Sequence, residues 1–228
     1  SYRWWPESTI LSWGPTLTYF RLYDHTGVLQ DEQIQARTSF NFRRNFFVSN
    51  IVSRDLERYR EIDFRKNGYG LFGGISGRQL SIFGGFNGGD GILFGDNPYL
   101  GSTTSVNINV RANPTTRLST QLSAISSRFI NPVGDTKVFD VKIYRARTTY
   151  QFTERFLLRH IMEHNTMAVT LSNNILLTYR INAGTVAFLG YDDRYQRGTR
   201  INDMLFLTTA LQRTNRAVFA KVAYLFRY

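Results

Sequence analysis

Polar and apolar residues alternate with period two along most of this chain. In residues 33–43, Ile34, Ala36, Thr38, Phe40 and Phe42 share one face, while Gln33, Gln35, Arg37, Ser39, Asn41 and Arg43 share the other. Residues 105–112 set Val106, Ile108, Val110 and Ala112 against Ser105, Asn107, Asn109 and Arg111. Residues 117–124 set Leu118, Thr120, Leu122 and Ala124 against Arg117, Ser119, Gln121 and Ser123. In residues 169–181, Val169, Leu171, Ile175, Leu177, Tyr179 and Ile181 oppose Thr170, Ser172, Asn174, Thr178 and Arg180. Successive strand side chains point to opposite faces, so each run is a strand with one apolar and one strongly polar face. No sustained helical stripe with a cap before it and a glycine after it is present, and the charged stretch 54–66 has no apolar face.

Short turn signals join these runs at Arg44-Asn45, Asn113-Pro114-Thr115-Thr116, Thr153-Glu154 and Asn182-Ala183-Gly184. Between them lie longer polar or glycine-rich segments at 55–67, 87–101, 130–137 and 192–203. Alternating short and long connections are the pattern of a membrane barrel with tight periplasmic turns and longer outer loops. The runs predict an all-β, antiparallel up-and-down transmembrane β-barrel of about 12 strands (range 10–14) that fills residues 1–228 as a single domain. Residues 138–152 change phase: Tyr144, Ala146, Thr148, Tyr150 and Phe152 fit one face, with Arg145 and Arg147 inward, whereas Phe139, Val141 and Ile143 fit the opposite phase. A bulge near 142–144 or a strand extending past the lipid reconciles them. Residues 186–189 give no phase.

A soluble sandwich has the same alternation, with the apolar face inward. Three features favour a membrane. The polar faces repeatedly carry Arg, Gln and Asn. Aromatics gather at run ends, as with Tyr19, Tyr23, Tyr150, Phe152, Tyr179, Tyr191 and Tyr195. The final run places Val218, Ala220, Val222, Tyr224, Phe226 and Tyr228 on one face and closes on an aromatic, of which Val222, Tyr224, Phe226 and Tyr228 resemble the C-terminal assembly signal of outer-membrane proteins. No run approaches the ~20 apolar residues of a membrane helix, but a membrane strand needs only ~9–11.

Composition narrows the chemistry. The 228 residues carry a formal charge of +11, from 28 Lys and Arg against 17 Asp and Glu, and no cysteine. Thiol catalysis, disulfides and Cys-ligated metals are excluded. Of the cations 24 are Arg and 4 are Lys, a balance that favours planar donor forks held in partly polar surroundings. The chain opens on Ser1 without a leader, which reads as a mature or trimmed product. Nucleic acid is the other common partner of a basic chain. Recognition sheets place stacking aromatics on their basic face; here aromatics and arginines mostly occupy opposite faces, which argues against it.

The informative residues are the inward cations Arg37, Arg43, Arg111, Arg117, Arg145, Arg147, Arg180 and Lys221. Brought round a closed barrel they make a cationic lumen that lowers the energy of anions. The structural alternative is a solid polar plug, with each Arg paired across the interior. His160 and His164 share one face, with Ser172 on the next strand, but no spacing demonstrates a nucleophile and its base. The glycine, Asp and Asn residues of 87–97 miss calcium-loop spacing, and Asp192, Asp193 and Asp203 read as solvating an outer loop. No cofactor, metal site or catalytic residue is expected.

The run Thr149-Tyr150-Gln151-Phe152-Thr153-Glu154-Arg155-Phe156-Leu157-Leu158-Arg159, with His164-Asn165-Thr166, has a recognisable form. So do Asn174-Ile175-Leu176-Leu177-Thr178-Tyr179-Arg180-Ile181-Asn182-Ala183-Gly184-Thr185 and Lys221-Val222-Ala223-Tyr224-Leu225-Phe226-Arg227. Together they resemble the C-terminal barrel region of the uncharacterised DUF5916 family of outer-membrane proteins; Trp13-Gly14-Pro15, Glu57-Arg58-Tyr59, residues 91–100 and Pro114-Thr115-Thr116-Arg117-Leu118 fit the same reading. The resemblance implies a barrel in the outer membrane of a Gram-negative bacterium, either whole or the C-terminal part of a larger protein. Members often carry an N-terminal carbohydrate-binding-like domain, which lies outside these residues. The expected function is passive: a narrow pore or transport-associated channel rather than an enzyme. The alternatives are a docking barrel that anchors or threads an extracellular or periplasmic partner, and a membrane-embedded hydrolase. Expected partners are outer-membrane lipid and lipopolysaccharide, and the barrel-assembly machinery during insertion.

Overall fold

The computed structural model describes residues 1–6, 8–201, 204–208 and 210–225, with only the backbone described at 199–201 and 204–205. Twelve long strands, β1 (Ile10–Tyr23), β2 (Leu29–Phe42), β3 (Phe46–Tyr59), β4 (Ile62–Ser76), β5 (Leu80–Leu93), β6 (Tyr99–Ala112), β7 (Leu118–Asn131), β8 (Thr136–Gln151), β9 (Phe156–Asn165), β10 (Thr170–Arg180), β11 (Thr185–Gln196) and β14 (Gln212–Tyr224), form one sheet with neighbours in chain order. Two short strands, β12 (Thr199–Ile201) and β13 (Met204–Phe206), pair with each other. The architecture is all-β, antiparallel and up-and-down, with the twelve strands the alternation predicts. Phe226 and Tyr228 lie outside the described residues; Val222 and Tyr224 stand on the apolar face of β14, 67% and 60% exposed.

The chain divides into two compact units. Unit 1 takes residues 1–77, 81–108 and 125–140; unit 2 takes 78–80, 109–124 and 141–228. In unit 1 the register puts Trp13, Pro15, Leu17 and Tyr19 of β1 beside Phe40, Thr38, Ala36 and Ile34 of β2, and these beside Val48, Asn50, Val52 and Arg54 of β3. That is one mainly apolar face. The other runs Gly14, Thr16 and Thr18 beside Ser39, Arg37 and Gln35, then Ser49, Ile51 and Ser53. In unit 2, Tyr150, Leu158, Leu177, Leu189 and Ala220 make one row of the apolar face across five strands.

Neither face is covered. Apart from glycines, only Ser12, Phe64, Phe129 and Asp193 are buried among the described residues. Leu17 is 70% exposed and Val218 68%. A soluble sandwich would bury this face against a second layer, and soluble monomers rarely expose contiguous apolar patches beyond a few hundred Å².

Aromatic rows border the apolar face at the turn end. In unit 1 Trp4, Trp13, Phe40, Phe42 and Phe46 follow one another with centroid separations of 4.4, 5.9, 6.5 and 5.1 Å. In unit 2 Tyr150, Phe152, Phe156 and Tyr179 do the same at 4.7, 5.0 and 6.4 Å.

The four longer segments resolve differently from expectation. Residues 55–67 are the paired ends of β3 and β4, joined by a two-residue turn in which Arg60 and Glu61 adopt φ of 49° and 64°. Their charges continue the ladder because they are matched: Arg58 Nη1 lies 3.1 Å from Asp63 Oδ1, and Lys66 pairs with Glu57. Within 87–101 and 130–137 only 94–98 and 132–135 lie between strands, and 192–196 belong to β11; between β11 and β14 stand the short strands β12 and β13. β8 pairs with β9 without a break from Ile143 to Gln151. The strand simply continues, and Phe139 stacks on Phe129 at 5.8 Å. Asp24 closes the connection 24–28: its Oδ1 accepts from the Thr26 hydroxyl (2.7 Å) and the backbone N–H groups of Thr26 (2.8 Å) and Val28 (2.9 Å). The Thr26 hydroxyl first, then the Val28 N–H, hold its pKa below the ordinary carboxylate value.

Candidate functional site

The two units divide the charge unequally. Unit 1 holds 12 Lys and Arg against 12 Asp and Glu, so it is neutral; unit 2 holds 16 against 5. The whole of the +11 therefore resides in unit 2.

Pairing register places much of that excess on the polar face. One row aligns Arg145, Glu163, Ser172, Arg194 and Asn215 across β8, β9, β10, β11 and β14. The next aligns Arg147, Ile161, Asn174, Asp192 and Ala217. Below them stand Thr149, Arg159, Leu176, Gly190 and Phe219, then Gln151, Leu157, Thr178, Phe188 and Lys221. Arg180 follows beside Val186. Arg111 is the last residue but one of β6 and Arg117 leads into β7 within the same unit.

These cations have few partners. Arg145 Nε lies 3.7 Å from Glu163 Oε2. Arg147, Arg159, Arg180, Arg194, Arg111, Arg117 and Lys221 have no ion pair among the described residues. The Asp192 carboxylate, the other anion on this face, accepts from Asn215 Nδ2 at 3.3 Å. Arg159 Nε is buried without a hydrogen-bond acceptor. Within unit 2 the polar face is a field of guanidinium groups interleaved with Leu157, Ile161, Leu176, Phe188 and Phe219.

Unit 1 presents a different polar face. Ser39 and Ser49 are hydrogen-bonded at 3.0 Å, and Asn41 donates to Ser12 at 3.1 Å. Arg37 stands between Thr16 and Ile51. Asp31 beside Glu57, and Asp55 beside Lys66, carry charge of both signs along the same face, and rings take other positions. Phe129 lies so close to Gly101 that a Cβ there would stand 2.5 Å from the ring, and Tyr99 meets Phe129 edge-on at 6.2 Å.

Of the cations read from the sequence, Arg37 falls in unit 1, and Arg111, Arg117, Arg145, Arg147, Arg180 and Lys221 in unit 2. Arg43 is not on a strand face: β2 ends at Phe42, and the Arg43 N–H donates to Thr9 O in the turn. Arg159 and Arg194 escaped the sequence reading. Arg159 follows Phe156-Leu157-Leu158, where both faces are apolar and no phase is visible. Arg194 lies in a stretch read as loop, and only pairing with Ser172 and Asn215 reveals its face.

The other candidates separate. His160 and His164 stand on the apolar face beside Ile175 and Leu171, whereas Ser172 stands on the polar face beside Glu163. The sheet lies between the hydroxyl and both imidazoles, so they form no nucleophile–base pair. His164 stacks on Tyr144 (6.4 Å, 8°), and its Nδ1 is 3.1 Å from Thr170 O. Asp193 is not a solvated loop residue: it sits in β11, 4% exposed, where Oδ2 accepts from Tyr191 (2.9 Å) and Tyr195 (2.7 Å). Asp203 lies outside the described residues. Residues 87–93 belong to β5, where Asp90 accepts from the Asn67 backbone N–H at 2.8 Å.

No family model and no curated protein matches the chain. Among solved structures it is similar to the KdgM porin in complex with disordered oligogalacturonate: 14% identity, 86% of this chain and 96% of that one covered, TM-score 0.35. It is similar also to the NanC porin, with 12% identity, coverage of 93% and 99%, and a TM-score of 0.38.

Proposed function

We propose that the chain is a β-barrel of a Gram-negative outer membrane. Its apolar face meets lipid, and its polar face lines a narrow, water-filled path that favours anions. The observation that carries this reading is the unpaired cationic face of unit 2. A dry plug would bury those guanidinium groups without partners, at several kcal/mol per ion. Seven of the eight cations read on this face from the register and sequence of β8, β9, β10, β11, β14 and the adjoining ends of β6 and β7 have no carboxylate within reach among the described residues; Arg159 Nε is buried, and the other six, all exposed, are left to water or mobile anions.

The remaining observations support the membrane part of the reading. Both faces of the strands are uncovered, and the apolar one is bordered by aromatic rows, as outer-membrane barrels are. The aromatic residues on the polar face of unit 1 narrow the path, in keeping with the small interior of a twelve-stranded barrel.

The test is single-channel conductance of the purified chain beside Arg145→Ser/Arg147→Ser. Stable steps in the unaltered chain, and smaller steps in the variant in which anion preference also falls, are the expected result. Equal steps and equal selectivity in the two chains would remove these arginines from the path.

A further inference from the structure

On unit 2, the apolar face ceases to be apolar next to the connection 197–211. Arg213 stands opposite Tyr195. One row on, Arg216 Nη2 lies 3.6 Å from Asp193 Oδ2, and its guanidinium carbon is 5.8 Å from the Tyr191 ring centroid. Arg197 lines a groove of ≈ 400 Å³ whose remaining walls are His164, Thr166, Val169, Leu171 and Leu211. Leu171 and His164 belong to the same face and row as Tyr195 and Arg213. The groove is thus continuous with the apolar face and has cations at its margin.

Asp193 offsets part of this charge. Its ion pair is with Arg216, and Arg213 lies close enough to act on it electrostatically; Arg197 and Arg213 have no ion pair among the described residues. Three arginines against one carboxylate leave an excess of positive charge at the border of the apolar band. The Arg216 side chain is 50% exposed, so its fork remains open to a second anion.

We propose that this corner holds one acylated lipid of the surrounding leaflet whose phosphate-bearing headgroup carries a net negative charge. The lipid's phosphate lies across Arg213 and Arg216, with Arg197 beside it, and one acyl chain occupies the groove over Leu171 and Leu211. Guanidinium forks match phosphate geometry, and cations close to a membrane surface add substantially to the binding of anionic lipid. The apolar groove selects a lipid over a free phosphate, which would leave that groove unfilled. This inference rests on the membrane reading above.

The experiment is native mass spectrometry of the full chain folded in detergent and titrated with bis-phosphorylated lipid A, beside Arg213→Gln/Arg216→Gln. Saturable retention is expected in the unaltered chain and retention weakened by about tenfold or more in the double variant, from the loss of two surface cations. Inorganic pyrophosphate should displace little of the bound lipid, and phosphatidylcholine should be retained poorly. Equal retention by both chains, displacement by pyrophosphate, or equal retention of phosphatidylcholine overturns the proposal. Heat-modifiable migration reports folding of each variant. If the double variant does not fold, Arg213→Gln alone is read, with a weakening of about threefold expected and none overturning the proposal. A chain that stays soluble without detergent overturns the membrane reading and this inference together. A detergent-folded chain whose variants bind equally overturns this inference alone.

Discussion

Replacing Leu189 by Arg tests which side of the sheet meets lipid. Leu189 sits 48% exposed in the row Tyr150, Leu158, Leu177, Leu189 and Ala220. On β14 that row lies midway between Arg216, beside Asp193, and Tyr224, beside Thr185. Those two ends are eight residues apart, roughly 27 Å of strand at the usual rise and roughly 20 Å along the membrane normal at the usual tilt. On β11 and β14 Leu189 therefore lies deeper in the hydrocarbon than Thr185, and an arginine on the lipid face costs up to about 2–4 kcal/mol with depth. At Thr185, on the rim, the same side chain costs about 0–1 kcal/mol. If the face were exposed to water, both substitutions would fall within about 0.5 kcal/mol of the unaltered chain. Reversible urea titration of folding into phosphatidylcholine vesicles, followed by tryptophan fluorescence, measures the difference. A loss at Leu189→Arg no larger than at Thr185→Arg would refute the assignment of this face to lipid.

Other consequences are checked as directly. Gly101→Ala places a Cβ 2.5 Å from Phe129 Cε1 and 2.6 Å from Ile130 O; overpacking of this kind costs about 1–3 kcal/mol. Its urea midpoint should drop while that of Gly95→Ala, with nothing within 4 Å of its Cβ, stays in place; equal midpoints would contradict the seating of Phe129. Because the folded pKa of Asp24 lies below its unfolded value, its bonds to the 24–28 loop are fully present above the ordinary carboxylate range. They are lost as pH falls through the lowered value. The amide resonances of Thr26 and Val28 should therefore titrate with a midpoint below 3.8 and stop titrating in Asp24→Asn; a midpoint at or above 3.8 contradicts the geometry. Glu163→Gln releases Arg145 from its carboxylate and should raise anion preference in bilayer recordings, where no change would place Glu163 outside the path.

Alternation alone made the strands visible, because the apolar and polar faces of β2, β6, β7 and β10 differ at nearly every position. What it missed has two physical origins. Where both faces are apolar, as at Phe156-Leu157-Leu158, period two carries no phase, and Arg159 went unassigned. Where both are charged, as between Arg54 and Lys66, the pattern reads as a loop; yet cross-strand pairs such as Arg58 with Asp63 keep those residues in register. The site was legible in part for the same reason. Arg145, Arg147 and Arg180 follow clean alternation, Arg43 lies one residue past the end of its strand, and Arg194 sits in a segment whose pairing only the fold reveals. The concentration of net charge in unit 2 is a property of how the strands group, which no local pattern contains.

The cationic face is tested most directly by the zero-current potential of the unaltered chain in a planar bilayer across a tenfold KCl gradient. Stable channels are expected, with a potential whose sign marks chloride as the more permeant ion. A membrane-inserted chain whose potential marks potassium as the more permeant ion, or that passes no current, would contradict the anion-favouring path.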